Sequence, residues 1–238
     1  MRPLPIDADT WVLVLTGAGV SAESGIPTFR GAGGLWEGNR VEEVASPEGF
    51  RRDPALVWRF YAQRRDRARG VAPNAGHLAL ARLEERIGDR FLLATQNVDG
   101  LHRKAGTRRL VELHGNLYTS RCCDCDRAPF PDERAHAGVP HCDLCGGVIR
   151  PHIVWFGEML ARADLGRVAE FMARASEHRF VFLAVGTSGA VWPAAGFVEE
   201  AREAGADTWL VNLEPPANAE GFDHFLRGKS AEILPRLV

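Results

Sequence analysis

Four cysteines carry the most explicit chemistry in the chain. Cys122 and Cys125 form one CxxC pair and Cys142 and Cys145 a second, with sixteen residues between the pairs. Each pair presents two thiolates to one side of a tetrahedron and two pairs close it, which is the spacing of a four-cysteine zinc ribbon. With sulfur at all four positions no coordination site stays open, so one Zn2+ held there is structural. Cys123 is left over, because a CxC spacing fits the knuckle poorly; His136 and His141 are nearby substitutes that the site does not need. A redox CxxC is the competing reading, and two such pairs argue against it.

The second chemical stretch is Gly17-Ala18-Gly19-Val20-Ser21-Ala22-Glu23, directly after the apolar run Trp11–Leu15. Gly17-x-Gly19-x-x-Ala22 fits the glycine-rich turn of a dinucleotide site, where small residues let backbone approach a pyrophosphate and helix-start N–H groups hold it. An ordinary dinucleotide fold would supply a ribose-binding acid about 20 positions on. Here the chain instead enters a loop, Gly25-Ile26-Pro27-Thr28-Phe29-Arg30-Gly31, and no strand leads to Glu37, Glu42 or Glu43. Such a loop suits a cofactor that is covered and reacted upon.

Two clusters further on could act on that cofactor. Gln96-Asn97-Val98-Asp99 and His114-Gly115 each come after a short apolar run, the place where open α/β sheets bind ligands. A neutral imidazole at 114 suits general-base work near pH 7; an Asx turn is the structural alternative for the first cluster. His77, near a helix start, reads as structural. Tyr61 and Arg64 are three apart on one helical face, which on residues alone reads as a core tyrosine beside a solvated basic face.

These groups need a sheet to hold them. Trp11–Leu15, Phe91–Thr95, Leu110–Leu113, Phe180–Val185 and Thr208–Val211 read as short buried strands, alternating with helices. That pattern predicts an α/β fold with a doubly wound parallel sheet, interrupted twice by smaller elements. Gly186-Thr187-Ser188 and Asn212-Leu213-Glu214 end the last two strands, and Asn212 with Glu214 stands where the missing ribose contacts are needed. Ser46-Pro47 and Asp53-Pro54 mark helix starts within a mainly helical 39–72, and Pro73-Asn74 opens another helix.

Composition narrows the partners. With 29 basic and 31 acidic residues the net charge is −2, which gives no reason to expect nucleic acid or a membrane surface. The N-terminal residues lack a signal-peptide pattern and no apolar segment approaches the ~20 residues that span a bilayer. Five cysteines, all within 122–145, do not form a disulfide framework. The expectation is a cytoplasmic protein.

In this order and spacing, the segment Gly17 to Arg30, Thr95-Gln96-Asn97-Val98-Asp99-Gly100-Leu101-His102, His114-Gly115, the paired CxxC, Gly186-Thr187-Ser188 and Asn212-Leu213-Glu214 together resemble the sirtuins, NAD-dependent protein deacylases. The resemblance implies a Rossmann-like NAD-binding domain from 1–38, 73–118 and 152–238, an inserted helical module at 39–72 and a zinc-ribbon module at 119–151. It implies NAD as co-substrate and acylated-lysine proteins or peptides as partners; a monomer is the expected state. Gly17, Ala18, Gly19, Ala22, Glu23, Ile26, Thr28, Phe29, Arg30 and Trp36 would contact or cover the cofactor, with Phe29 shielding the reactive sugar. Gln96 would bind the nicotinamide ribose, Asn97 and Asp99 would line the carboxamide pocket, and His114 would be the general base. Gly186, Thr187, Ser188, Asn212, Glu214 and Ser230 would lie along the adenosine half, and Val154, Phe156 and Gly157 along the peptide groove.

The implied reaction is attack of the acyl-lysine carbonyl oxygen on the ribose C1′ as nicotinamide leaves, ending in free lysine and O-acyl-ADP-ribose. The resemblance also changes the reading of Tyr61 and Arg64. Phe60-Tyr61-x-x-Arg64-Arg65 and Pro73-Asn74-Ala75-Gly76-His77 resemble the class III subgroup, in which such a pair lines the acyl pocket, so succinyl or malonyl removal is expected alongside deacetylation. The alternatives are protein ADP-ribosyl transfer, or a non-catalytic NAD-binding zinc module.

Overall fold

The computed structural model describes residues 3–28, 35–36 (backbone) and 38–238. In chain order its elements are β1 (Thr10–Thr16), β2 (Leu35–Trp36), β3 (Asn39–Arg40), α1 (Val41–Val44), α2 (Pro47–Arg52), α3 (Pro54–Arg69), α4 (Ala75–Ile87), β4 (Phe91–Thr95), α5 (Leu101–Lys104) and β5 (Leu110–Glu112). The chain continues through β6 (Gly115–Cys122), β7 (Phe130–Pro131), β8 (Ile149–Ile153), α6 (Arg162–Ala175), β9 (Arg179–Val185), α7 (Phe197–Glu203), β10 (Asp207–Asn212), β11 (His224–Arg227) and α8 (Ser230–Leu237).

Six strands pair in the order β11-β10-β9-β1-β4-β5, all parallel. Their apolar runs are continuous because both faces are covered. Trp11, Leu13 and Leu15 of β1 pack with Phe171 and Met172 of α6 and Phe197 and Ala201 of α7. Val12 and Val14 point the other way, onto Leu80 and Leu83 of α4 and Leu234 of α8. Five of these strands were expected from the sequence; β11 was not. It is a four-residue edge strand, mostly exposed, and shows no buried run.

Register decides where the site lies. Thr16 pairs with Thr95 on one side and Val185 on the other, and Val185 pairs with Val211. Gly17, Gln96, Gly186 and Asn212 therefore leave the sheet side by side, at the carboxyl ends of their strands. The reversal in strand order at β1 opens a crevice there, as in other doubly wound sheets.

Residues of α1–α3 share a third core with the segment from β6 to the loop after β8. Val57, Trp58, Phe60 and Tyr61 of α3 pack with Leu117 and Cys122 of β6, Ile149 and Ile153 of β8, Cys142 and Trp155. A buried ion pair reinforces the junction: the Arg65 guanidinium lies 3.6 Å from Asp132, which also accepts from Ser120 at 2.6 Å. The expected helix caps are in place, with Ser46 accepting from Gly49 N–H at 2.9 Å and Asp53 from Leu56 N–H at 2.8 Å.

The turn after β1 is a 3-10 stretch, Ala18–Ser24, where the sequence suggested a regular helix start. It is pressed against the loop after β9: Gly19 N–H donates to the Gly186 carbonyl at 2.9 Å. A Cβ at Gly19 would stand 2.6 Å from the Gly186 Cα, and Gly186 itself has φ +62°. Two backbones touching, in addition to any ligand, therefore require glycine at both positions. Gly19→Ala is expected to lose roughly 1–3 kcal/mol of stability through overpacking, read as a lower denaturant midpoint without ligand.

Candidate active site

At the strand ends lies a cavity of about 1130 Å³, at or above the upper size of common small-ligand pockets. Three groups of expected residues meet on its wall. Gly17, Ala18, Gly19, Ala22, Glu23 and Thr28 come from the first turn and the loop after it. Gln96, Asn97, Gly186, Thr187, Ser188, Asn212, Glu214 and Ser230 come from the other strand ends and α8. His114, Tyr61, Arg64, Val154, Phe156 and Gly157 line the side facing the inserted modules.

His114 is set up by one hydrogen bond. Its Nδ1 lies 2.9 Å from the Gln96 carbonyl oxygen. A carbonyl only accepts, so Nδ1 carries the proton and Nε2 keeps its lone pair. Burial pushes the pKa down, only partly offset by this bond, so the ring is neutral near pH 7. Its backbone carbonyl also accepts from Val154 N–H at 3.0 Å, which fixes the groove wall beside the imidazole.

Asn97 is held by three bonds. Its amide donates to the Gly17 carbonyl and to Ser21 Oγ, each at 3.1 Å, and its N–H donates to Thr95 Oγ1 at 3.1 Å. Asp99, expected beside Asn97 in the carboxamide pocket, is tied to the same cluster. It stands behind Asn97, buried, accepting from Ser21 Oγ at 2.8 Å and Leu101 N–H at 2.9 Å. Burial raises its pKa. A hydrogen-bonded path links it through Ser21 to Asn97 on the cavity wall.

Ser21 is the residue that sequence reasoning missed. It is fully buried and also lies 3.4 Å from His77 Nε2. The signal available was its place inside the glycine-rich turn, but a serine there looks like any small polar loop residue. His77 holds the structural place expected of it: with Asn74 it forms the capping box of α4. Its Nδ1 accepts from Asn74 N–H at 3.3 Å, so Nε2 is the protonated nitrogen and donates to Ser21.

Several other expectations are refined. Ile26 packs against the third core and is absent from the cavity wall, because an isoleucine beside a protein core is more stable buried in it than facing a polar site. Glu23 lines the cavity and also accepts from Ala231 N–H at 2.8 Å and Ser230 Oγ at 3.1 Å, so it ties the first turn to the start of α8. The Asn212 amide donates to the Thr187 carbonyl at 2.8 Å, and Gln96 donates to Thr187 Oγ1 at 3.1 Å. Asn212 thus braces the neighbouring loop, and Glu214 lines the cavity two residues on. Phe29 and Arg30 lie outside the described residues, as does the side chain of Trp36.

The residues present fit a dinucleotide. Glycine backbone lies at the centre of the cavity, with hydroxyl, amide and carboxylate groups towards β10 and an amide and imidazole at the other end. The four cysteines equally fit zinc. The Sγ atoms of Cys122, Cys125, Cys142 and Cys145 all lie within 4.8 Å of one another, with Cys122 to Cys145 at 3.5 Å and Cys125 to Cys142 at 3.9 Å. Sulfurs each about 2.3 Å from a tetrahedral zinc would be about 3.8 Å apart. Cys123 is exposed and outside the cluster. No helix among the described residues is long and apolar enough to cross a membrane.

A doubly wound sheet with a dinucleotide-sized crevice, a neutral histidine on its wall and a four-cysteine cluster that fits zinc defines the class as an enzyme that uses a nucleotide. The Sir2 family model matches residues 17–193, and the chain belongs to that family. It is 49% identical over 226 residues to NAD-dependent protein deacylase 2 of Pyrobaculum aerophilum, covering 95% of this chain and 89% of that one. Among solved structures, a Sir2 homologue in complex with NAD superposes with a TM-score of 0.85 at 41% identity, covering 94% of this chain and 86% of the other. Sir2 bound to an acetylated peptide superposes with a TM-score of 0.81 at 30% identity, covering 95% and 91%.

Two outcomes are expected. His77 is held neutral by burial, with its pKa pushed down to about 4, and His102 and His114 are lowered as well. The unfolded chain binds more protons than the folded one once pH drops below about 6.5, so stability falls from there towards pH 4 and is retained above it. The slope approaches about 1.4 kcal/mol per pH unit for each such histidine; denaturant midpoints at pH 7.5 and 5 measure it. Secondly, chelation should release one zinc per chain, monitored with a chromogenic indicator. Because Cys122 and Cys142 share a core with Tyr61 and Trp155, activity should be lost along with the metal.

Proposed function

We propose that the chain is an NAD-dependent protein-lysine deacylase that releases nicotinamide and O-acyl-ADP-ribose, and that its acyl pocket takes short acidic acyl groups, succinyl and malonyl, as well as acetyl. The observation that carries the acidic-acyl reading is the placement of Tyr61 and Arg64, one helical turn apart on α3, on the wall of the same cavity as His114. A planar guanidinium takes a carboxylate in bidentate, charge-assisted geometry, and a phenol adds one more donor. The proposed setting is the cytoplasm, where thiols stay reduced and available to zinc.

NAD would supply a glycosidic bond with a good leaving group and a sugar that accepts the acyl group. The chain's part is to bind, orient and move one proton. Gly17, Ala18, Gly19, Ala22 and Thr28 would hold the pyrophosphate region, with Thr187, Ser188, Glu214 and Ser230 along the adenosine half. Gln96 and Asn97 would orient the nicotinamide half, Asn97 being itself oriented by Ser21 and Asp99. His114, neutral and basic at Nε2, would take up a proton from a hydroxyl presented to it. Val154, Phe156 and Gly157 would form one side of a groove that receives the peptide as an added strand.

Arg64→Met tests the acyl reading. It should lower kcat/KM on a succinyl-lysine peptide by about tenfold or more relative to the matched acetyl peptide, the effect of losing a charged hydrogen bond. Equal loss on both would sink it. His114→Tyr should abolish turnover while NAD binding, measured by calorimetry, persists. A residual rate near wild type would remove His114 from the mechanism.

A further inference from the structure

The Tyr61 hydroxyl is buried at the edge of the cavity, and its hydrogen-bond partner among the described residues is the indole Nε1 of Trp155, at 2.9 Å. An indole N–H only donates. The phenol oxygen is therefore the acceptor, and the phenol's own proton is left to point elsewhere. Arg64, three residues on, offers donors and no acceptor, so that proton has no use there. What suits it is an anionic oxygen brought in by a ligand.

We infer that Trp155 is a positioning residue for acyl specificity, one that turns Tyr61 into a fixed donor towards the distal carboxylate of an acidic acyl chain. This rests on the reading of the cavity as a receptor for such groups. The indole is well placed for the task because it is itself clamped. Trp155 is buried, and the Arg150 guanidinium lies 3.3 Å from its ring centroid. Arg150 is in turn held by Glu158 through two hydrogen bonds, 2.6 and 2.9 Å, and it donates to the Ile153 carbonyl at 2.7 Å. Glu158 closes the loop by accepting from Trp155 N–H at 2.9 Å, with Arg121 at 3.2 Å as a further partner. Phe50 packs near the indole, ring centroids 5.3 Å apart. Each polar group in this chain is satisfied by the next, so the direction of the last donor is determined by β8 and its loop and not by solvent. Burial pushes the Tyr61 phenol up to about 12, so it keeps its proton at any working pH. An acetyl group presents no anionic oxygen at that depth and gains little from the arrangement.

The test compares succinyl- and acetyl-lysine peptides of one sequence across wild type, Trp155→Phe, Tyr61→Phe, the double variant and Arg64→Met. Phenylalanine keeps an aromatic ring over Arg150 and removes the N–H. Trp155→Phe is expected to lower the succinyl-to-acetyl ratio of kcat/KM by about five- to tenfold, with the loss in KM for the succinyl peptide. In the Tyr61→Phe background the same change should leave the ratio where it was, since Trp155 acts through the hydroxyl. A ratio unchanged by Trp155→Phe, an equal loss on both peptides, or full additivity with Tyr61→Phe overturns the inference. When wild type prefers succinyl and Arg64→Met abolishes that preference, those outcomes count against Trp155 alone. A wild type without preference, indifferent to Arg64→Met, removes the acidic-acyl reading and this inference with it. Should Trp155→Phe fail to fold, 3-benzothienylalanine at position 155 retains the bicyclic shape without the N–H and carries the same comparison.

Discussion

A single hydroxyl, Ser21 Oγ, stands where the three parts of the active site meet. It gives its proton to Asp99 and accepts from Asn97 and His77. Each of these is buried, and a buried polar group left unpaired costs about 1–3 kcal/mol. The directions leave no slack: Nδ1 of His77 is committed to the Asn74 backbone, so its other nitrogen must donate to the serine. The result is a rigid polar layer beneath the cavity, linking the turn after β1, the start of α4 and the segment after β4. Both amide donors of Asn97 are committed, to Ser21 in this layer and to the Gly17 carbonyl, which fixes the direction of its Oδ1 on the cavity wall.

The side of the cavity facing the inserted modules depends on a different constraint. Tyr61, Trp155, Cys122 and Cys142 belong to one core. A four-thiolate ribbon has little apolar core of its own and gains its order from the metal. A zinc held there would tie the end of β6, which carries Cys122, to the segment before β8 that carries Cys142 and Cys145, and β8 leads into the loop that carries Trp155, Phe156 and Gly157. Such a zinc would also shape the cavity wall, because Cys122 and Cys142 share a core with Tyr61 and Trp155. The Arg65–Asp132 pair makes the same junction in ionic form, well buried and supported by Ser120, Arg134 and His136.

Some features were legible because they are local. A strand covered on both faces must be a continuous apolar run, and β1, β4 and β9 are. A zinc knuckle must bring two thiolates together within four residues, so CxxC is visible by spacing. Helix caps at Ser46, Asp53 and Asn74 reflect the chemistry of the orphan N–H groups at a helix start. Edge strand β11 was hidden because half-exposed four-residue segments have no distinctive pattern. The neighbours of Ile26 and Asp99 were hidden too: Ile26 packs against the third core and Asp99 accepts from Ser21, 78 positions away.

The parallel sheet, the crevice at its carboxyl edge and the four-cysteine cluster could be read from the chain alone. Each of these depends on residue type and short spacing. The packing of the whole chain was needed to show which nitrogen of His114 carries the proton, that Asp99 accepts from Ser21 beside Asn97, and that Trp155 donates to Tyr61. Those facts depend on the direction of hydrogen bonds between residues 18, 78 and 94 positions apart. Direction across such distances is set by how strands register and cores pack, and no local pattern encodes it.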